Sequence, residues 1–274
     1  MKEPEAHIVV EDLTMAFGTN IVQQNLTFTI NRGDIFIIMG GSGCGKSTLM
    51  RHLVGLHRPC KGRVLYDGIS FWDGDEEERQ RVLRHVGVMY QSGALWSSMT
   101  LAENIGLLLE EYMGVDTEKA REVASLKLAL VGLAGFEDYY PSEISGGMKK
   151  RASIARAMAL DPDILFLDEP SGGLDPISGR MLDDLILELR ATLGTTIVVI
   201  THELASIFAI GTNSVFLDTD TKTMTASGDP KVLRATCEND TIQNFLTRGE
   251  GRVKQRAERN GVAACLDQRA KVGG

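Results

Sequence analysis

Long apolar runs are missing from this chain. No segment of its 274 residues approaches the roughly 18 consecutive apolar residues that a bilayer crossing requires. The start, Met1-Lys2-Glu3-Pro4-Glu5-Ala6, lacks the basic opening and apolar stretch of a signal peptide. A soluble protein is expected, with any membrane association borrowed from a partner. Positive charge is short as well: 29 Lys and Arg against 37 Asp and Glu give a formal net charge of −8. That argues against nucleic-acid binding through a broad basic surface, while leaving local basic patches open. Cysteine is scarce, and Cys44, Cys60, Cys237 and Cys265 are far apart with no metal-ligand spacing, which suits a reduced, intracellular protein. The remaining composition, 43% hydrophobic and 24% charged, is that of an ordinary globular chain whose length allows one large domain or two.

What is there is a glycine-rich loop in a telling place. Gly40-Gly41-Ser42-Gly43-Cys44-Gly45-Lys46-Ser47-Thr48 follows the apolar run Ile35-Phe36-Ile37-Ile38-Met39 and precedes the helix-like stretch from Leu49 to Val54. Its four glycines let the backbone wrap so that successive N–H groups point at phosphate oxygens, with the positive end of a helix behind them. Lys46 is placed to reach the β and γ phosphates and the Ser47 hydroxyl to reach Mg²⁺. A ligand-free strand-to-helix turn would need only one or two of these residue types.

Strand signals precede and follow this loop. His7 to Leu13 is β-rich, Leu26 to Ile30 alternates, and Gly62 to Gly68 encloses another short strand. The acidic stretch Asp73 to Glu78 reads as the start of an exposed helix. From Gln91 to Leu160 the pattern turns helical, with apolar residues at three- and four-residue spacing over Leu101 to Tyr112 and Thr117 to Val131. Strands return at Ile164 to Leu167, Thr196 to Ile200 and Ser214 to Leu217. The expected fold class is α/β, a mostly parallel sheet covered on both faces, with a helical segment inserted. Residues 248–274 hold seven Lys or Arg against three acidic residues and read as a basic tail.

A second chemical element closes one of those strands: Ile164-Leu165-Phe166-Leu167 ends in Asp168-Glu169. Asp168 is suited to hold Mg²⁺ and Glu169 to polarise an attacking water. A third, Ile144-Ser145-Gly146-Gly147-Met148-Lys149-Lys150-Arg151, stands shortly before. Ser145 and the glycines open a helix running from Ala152 to Leu160, and so offer a hydroxyl, N–H groups and a dipole to an anion.

With these three elements in this order, the sequence resembles the ATP-binding-cassette (ABC) ATPases over about residues 7–247. The resemblance implies a P-loop NTPase with a RecA-like core at 7–90 and 161–247, an antiparallel β subdomain and a helical subdomain at about 91–160. It implies ATP and Mg²⁺ as ligands, the metal held by Ser47, Asp168 and Gln91. Gln91 stands where the family's glutamine loop joins the lobes and faces a membrane partner. Ser171-Gly172-Gly173-Leu174-Asp175 resembles the loop that crosses between subunits. His202 resembles the switch histidine at the γ-phosphate, and Phe17 lies where an aromatic ring stacks on adenine. Alone, His202 reads more readily as a structural histidine than a functional one, and Phe17 as core packing. In such ATPases the signature of one subunit, here Ser145, Gly146 and Gly147, closes on the nucleotide of another, so a homodimer or a pairing with a related subunit is implied. Glu169 and His202 are the catalytic pair that the resemblance assigns.

The signature departs from the usual pattern where Met148 replaces glutamine. That is similar to the Mla-type ATPases of lipid transporters that use MCE-domain proteins, and to osmoprotectant importers. Tyr90-Gln91-Ser92-Gly93-Ala94-Leu95, Gly172 to Ile177 and Thr201 to Phe208 resemble the lipid group. The implied partners are a permease contacted near Gln91 and an MCE-domain protein. The implied location is cytoplasmic, peripheral on the inner face of the membrane. An osmoprotectant-type importer, or a non-transport member serving cluster assembly or cell division, remains the alternative. A DNA-repair member would need long insertions absent here.

Overall fold

Alternation of apolar and polar residues sets up the first sheet. In the computed structural model, which describes residues 5–248, β1 (Ala6–Phe17) and β2 (Asn20–Asn31) pair antiparallel and extend beyond the stretches the sequence singles out. The basic tail expected over residues 248–274 lies, apart from Arg248, outside the described residues. The fully apolar β3 (Ile35–Gly40) follows and leads through the glycine loop into α1 (Lys46–Leu53). Next, β4 (Lys61–Tyr66) and β5 (Ile69–Ser70) complete a four-stranded sheet in the order β2-β1-β4-β5. The acidic stretch does become an exposed helix, α2 (Glu76–Arg84), in which Asp75 and Glu78 cap each other's backbone N–H.

A short strand unread in the sequence comes next, β6 (Val86–Met89). Its four residues are too few to display a period. Gly87 is required there, because a Cβ would sit 2.2 Å from the Ala157 carbonyl oxygen. Three helices then pack on one another: α3 (Leu101–Met113), α4 (Thr117–Leu130) and α5 (Gly146–Ala157). They share a core including Ile105, Leu109, Ala120, Ala124, Leu128 and Ala152. Helix α5 begins at Gly146 and not at Ala152, because the Ser145 hydroxyl accepts the Met148 N–H and the signature glycines themselves form the first turn.

The chain then returns to strands. β7 (Ile164–Asp168), α6 (Pro176–Leu193), β8 (Thr196–Ile200), α7 (Leu204–Ile210), β9 (Asn213–Leu217) and β10 (Met224–Ser227) follow in turn. Two short helices unread in the sequence, α8 (Pro230–Thr236) and α9 (Asp240–Leu246), finish the described chain, with Ile242 and Leu246 buried against the main core. The second sheet has six strands in the order β10-β9-β3-β8-β7-β6, all parallel except the edge pair β9–β10.

Burial on both faces explains the continuous apolar strands. Ile35, Ile37 and Met39 of β3 face the helices, while Phe36 and Ile38 face the antiparallel sheet. The Phe28 and Phe36 rings stack 5.4 Å apart at 14°, joining the two sheets. Each fully buried side chain of this size contributes about 1.5–3 kcal/mol. The α/β fold therefore holds rigid the ends of β3, β7 and β8, where the chemistry-bearing residues sit.

Candidate active site

Gly40 ends β3 at φ +150°, and a Cβ there would lie 2.4 Å from the Leu217 carbonyl oxygen and 2.7 Å from Cys44 Sγ. Only glycine fits, so the strand turns sharply into the loop. Helix α1 starts at Lys46 behind Gly45 with no side-chain cap and no acidic residue in its first turn. Its N-terminal N–H groups and dipole are left for an anion. The Lys46 ammonium folds over the loop, donating to the carbonyls of Gly40 (3.0 Å) and Gly41 (2.9 Å). Cys44 is buried, which pushes its thiol pKa up. Ser42, Gly43, Ser47 and Thr48 complete the loop and the first turn of α1.

Gln23, invisible as a site residue in the sequence, supports this loop from β2. It is fully buried, and its amide nitrogen donates to the carbonyls of Cys44 (2.8 Å) and Asp218 (2.9 Å). One polar residue in an alternating strand gives no signal of such a role.

Asp168 and Glu169 leave the end of β7. Asp168 is buried; burial raises its pKa first, and hydrogen bonding by the Ser47 side chain partly offsets that. Glu169 takes the left-handed conformation at φ +48°, with its N–H on the Ile200 carbonyl at 2.8 Å. Such a backbone is strained for a side chain of this size and marks functional sites. His202 Nδ1 meets Glu169 Oε1 at 2.7 Å, the histidine 60% exposed and the glutamate 11%. The other glutamate oxygen, Oε2, and Asp168 Oδ1 are buried with no partner among the described residues. Two orphaned carboxylate oxygens in a buried setting call for a cation, a water or a proton donor.

Lys150 of α5 reaches across to this region, donating to the carbonyls of Gln91 (2.8 Å) and Glu169 (3.1 Å). It lies inside the signature stretch, yet the sequence reading gives it no role. Its place at i+4 from Gly146 on α5 is the signal that could have found it.

Residues 23–172 match the protein family described as ABC transporter. The chain belongs to that family. Among curated relatives, the cassette is 40% identical over 197 residues to the protein named "Probable ribonucleotide transport ATP-binding protein mkl" of Mycobacterium tuberculosis. That match covers 72% of this chain and 55% of the relative, so the chain spans about half the length of such relatives. It is 35% identical to the intermembrane phospholipid transport system ATP-binding protein MlaF of Escherichia coli K12, over 90% of this chain and 91% of that one. A bacterial ABC transporter cassette solved as a dimer superposes with a TM-score of 0.72 at 30% identity, over 81% of this chain and 98% of that one. CbiO1 of Clostridium perfringens, part of the CbiONQ transporter complex, gives 0.77 at 25% identity, over 92% and 99%.

The remaining cassette positions lie on other elements. Ser145 caps α5, while Gly146 and Gly147 look onto Leu174 and Ser178 at the start of α6. Asp175 caps α6, accepting from the N–H groups of Ile177 and Ser178 at 3.0 Å, and the Ser178 hydroxyl holds its carboxyl below the usual range. Phe17 is 52% exposed at the end of β1, its ring edge-on to His57 at 5.9 Å, so it is not core. Gln91 lies just beyond β6 with its side chain on the surface.

Proposed function

We propose that this cassette is the ATP-hydrolysing subunit of a transporter that moves a lipid, most simply a phospholipid. The observation that carries the hydrolytic part is the Glu169–His202 pair: one carboxylate oxygen is fixed at 2.7 Å while the other is buried and unpartnered beside Asp168. A base held in this way is suited to orient and deprotonate a water. In this reading residues 7–247 form the ATPase domain, with the core at 7–90 and 161–247 and the helical part at about 91–160.

The donor set fits Mg²⁺. Ser47, Asp168 and Gln91 offer hard oxygen ligands; Asp168 interacts with the Ser47 side chain, and its Oδ1 is an orphaned buried carboxylate oxygen. When bound, the ion would neutralise phosphate charge. Lys46 leaves the Gly40 and Gly41 carbonyls for the phosphates, and the α1 dipole favours the same charge. Glu169 takes the proton of the attacking water, and His202 keeps the glutamate oriented. The ring of Phe17 is available to stack on a base.

Completion of the site by Ser145 and Gly147 of a second copy is supported by two features. The neighbouring cassette fold was solved as a dimer. Beside Asp175, Ile177 and Met181 present an apolar pair on α6, 75% and 57% exposed, suited to cover by another subunit. A groove of about 430 Å³ between α2, β6, α3 and α5, lined by Leu83, Tyr90, Leu108, Tyr112 and Arg156, adjoins Gln91 and suits a permease element at the inner face of a membrane. Among the described residues no helix is long and apolar enough to cross a membrane.

The lipid assignment leans on MlaF because that match runs through nearly all of both chains. An MCE-domain partner belongs to the same reading. The mkl relative's name favours ribonucleotides as a second reading. Native pull-down from membranes, followed by analysis of co-purified small molecules, separates them. A multi-spanning permease with an MCE-domain protein and enriched phospholipid supports the proposal; enriched nucleotide without lipid, or a soluble scaffold partner, overturns it.

A further inference from the structure

Helix α5 carries the signature at its N-terminus, and that end serves a nucleotide held by another copy in the reading above. Gln91 and Glu169 serve the nucleotide of their own copy. One side chain joins the two sets. The Lys150 ammonium donates to the Gln91 carbonyl at 2.8 Å and to the Glu169 carbonyl at 3.1 Å, using two of its three N–H groups on two loops far apart in sequence.

The surrounding geometry makes this a stiff connection. Gly93, at φ +82°, approaches α5 so closely that a Cβ would fall 2.6 Å from the Ser153 hydroxyl, one turn along from Lys150. Ser153 in turn donates to the Lys149 carbonyl. The Gln91–Gly93 segment is therefore seated on the same stretch of helix that Lys150 leaves. On the other side, the Glu169 carbonyl also accepts the Gly172 N–H at 3.1 Å, and its own N–H is held by Ile200, so the strained Glu169 backbone has three fixed contacts.

We infer that Lys150 is a positioning residue that ties the signature helix to the Gln91 loop and to the Glu169 backbone, so that engagement of one composite nucleotide site adjusts the catalytic residues of the other. A rigid displacement of α5 on subunit closure would move both carbonyls together. The inference rests on the dimeric ATPase reading. It assigns the coupling to a side chain outside the phosphate loop, the acidic pair and the switch histidine.

The test uses the full-length protein with Lys150→Met and Lys150→Arg. Arginine retains a charged fork able to donate to two carbonyls, and methionine keeps the length without a donor. For Lys150→Met the expected result is a Hill coefficient for ATP hydrolysis falling from above one to about one. Turnover should fall about tenfold, with ATP affinity by calorimetry within about twofold of the parent. Hydrogen exchange of the nucleotide-free protein should quicken over residues 91–95 and at Gly172, and Lys150→Arg should restore both measures. Unchanged cooperativity and exchange in Lys150→Met, a parent Hill coefficient of one, or equal damage in both variants would overturn the inference. Absence of hydrolysis by the parent protein would instead defeat the ATPase reading, and the exchange arm would still decide whether Lys150 ties the loops.

Discussion

Nδ1 of His202 lies 2.7 Å from Oε1 of Glu169, across a gap of 33 residues, with the carboxylate in a left-handed backbone turn and the imidazole facing solvent. The pair divides the work of one carboxyl group. One oxygen is committed to orientation, the other left for chemistry.

Replacing Glu169 with Gln keeps the shape and the contact to His202 but removes the base. General-base catalysis contributes about 10²–10⁴-fold. Steady-state ATP turnover should fall by at least about 100-fold while ATP binding persists, and gel filtration with ATP should show trapped dimers. Undiminished turnover would remove Glu169 from the proposed role.

For His202→Ala the base remains and its orientation is lost. Turnover should drop about 10- to 100-fold with KM changed little, because the histidine acts on the position of Glu169. A KM rise at unaltered kcat would instead assign His202 to ground-state nucleotide binding.

The loop anchor gives a prediction of a different kind. Gln23→Leu fills similar space but leaves the Cys44 and Asp218 carbonyls without their amide donor in a fully buried position. Unsatisfied buried groups cost about 1–3 kcal/mol each. Chemical denaturation should show a loss of about that size, together with weaker ATP binding from a less ordered phosphate loop. Parent-like stability and affinity would show the anchor to be dispensable.

The contrast between Gln23 and Lys46 explains what the sequence disclosed. Lys46 belongs to a contiguous nine-residue pattern, whose strand and helix neighbours are local, and its loop has the geometry the pattern demands. The buried strands were equally legible, because covering both faces leaves runs such as Ile35 to Met39 entirely apolar. Gln23 and Lys150 bond to backbone carbonyls, and a carbonyl has no residue identity to read. Their partners, Cys44, Asp218, Gln91 and Glu169, are joined to them only by the fold. β6 is too brief to show a period. α8 and α9 are not legible because seven-residue helices show barely two turns of period, and in α9 it is the burial of Ile242 and Leu246 that decides the helix. The α5 start at Gly146 differs from the expected Ala152 because Gly146 and Gly147 are poor helix formers that the Ser145 cap nonetheless holds in the first turn.

Asp168 leads to a prediction about pH. Burial raises its pKa above the usual 3.8, with the Ser47 contact working the other way. The sign is fixed by linkage: a carboxyl whose folded pKa exceeds its unfolded one binds its proton more tightly in the folded state. Below 3.8 both states are protonated and the group carries no ionisation penalty. As pH rises from there through the folded pKa, folding is progressively disfavoured, and above that pKa the full penalty is present. Asp168→Asn removes the charge while retaining an acceptor for Ser47. In the absence of nucleotide and metal, its thermal unfolding midpoint should therefore exceed that of the parent at pH 7, and the difference should shrink as pH falls towards 4. Hydrolysis should be lost at every pH, since the oxygen ligand proposed for Mg²⁺ is gone. A variant less stable than the parent at pH 7, or a stability difference independent of pH, would mean that the buried carboxylate is compensated within the apo fold. Its unpartnered oxygen would then no longer argue for a bound cation.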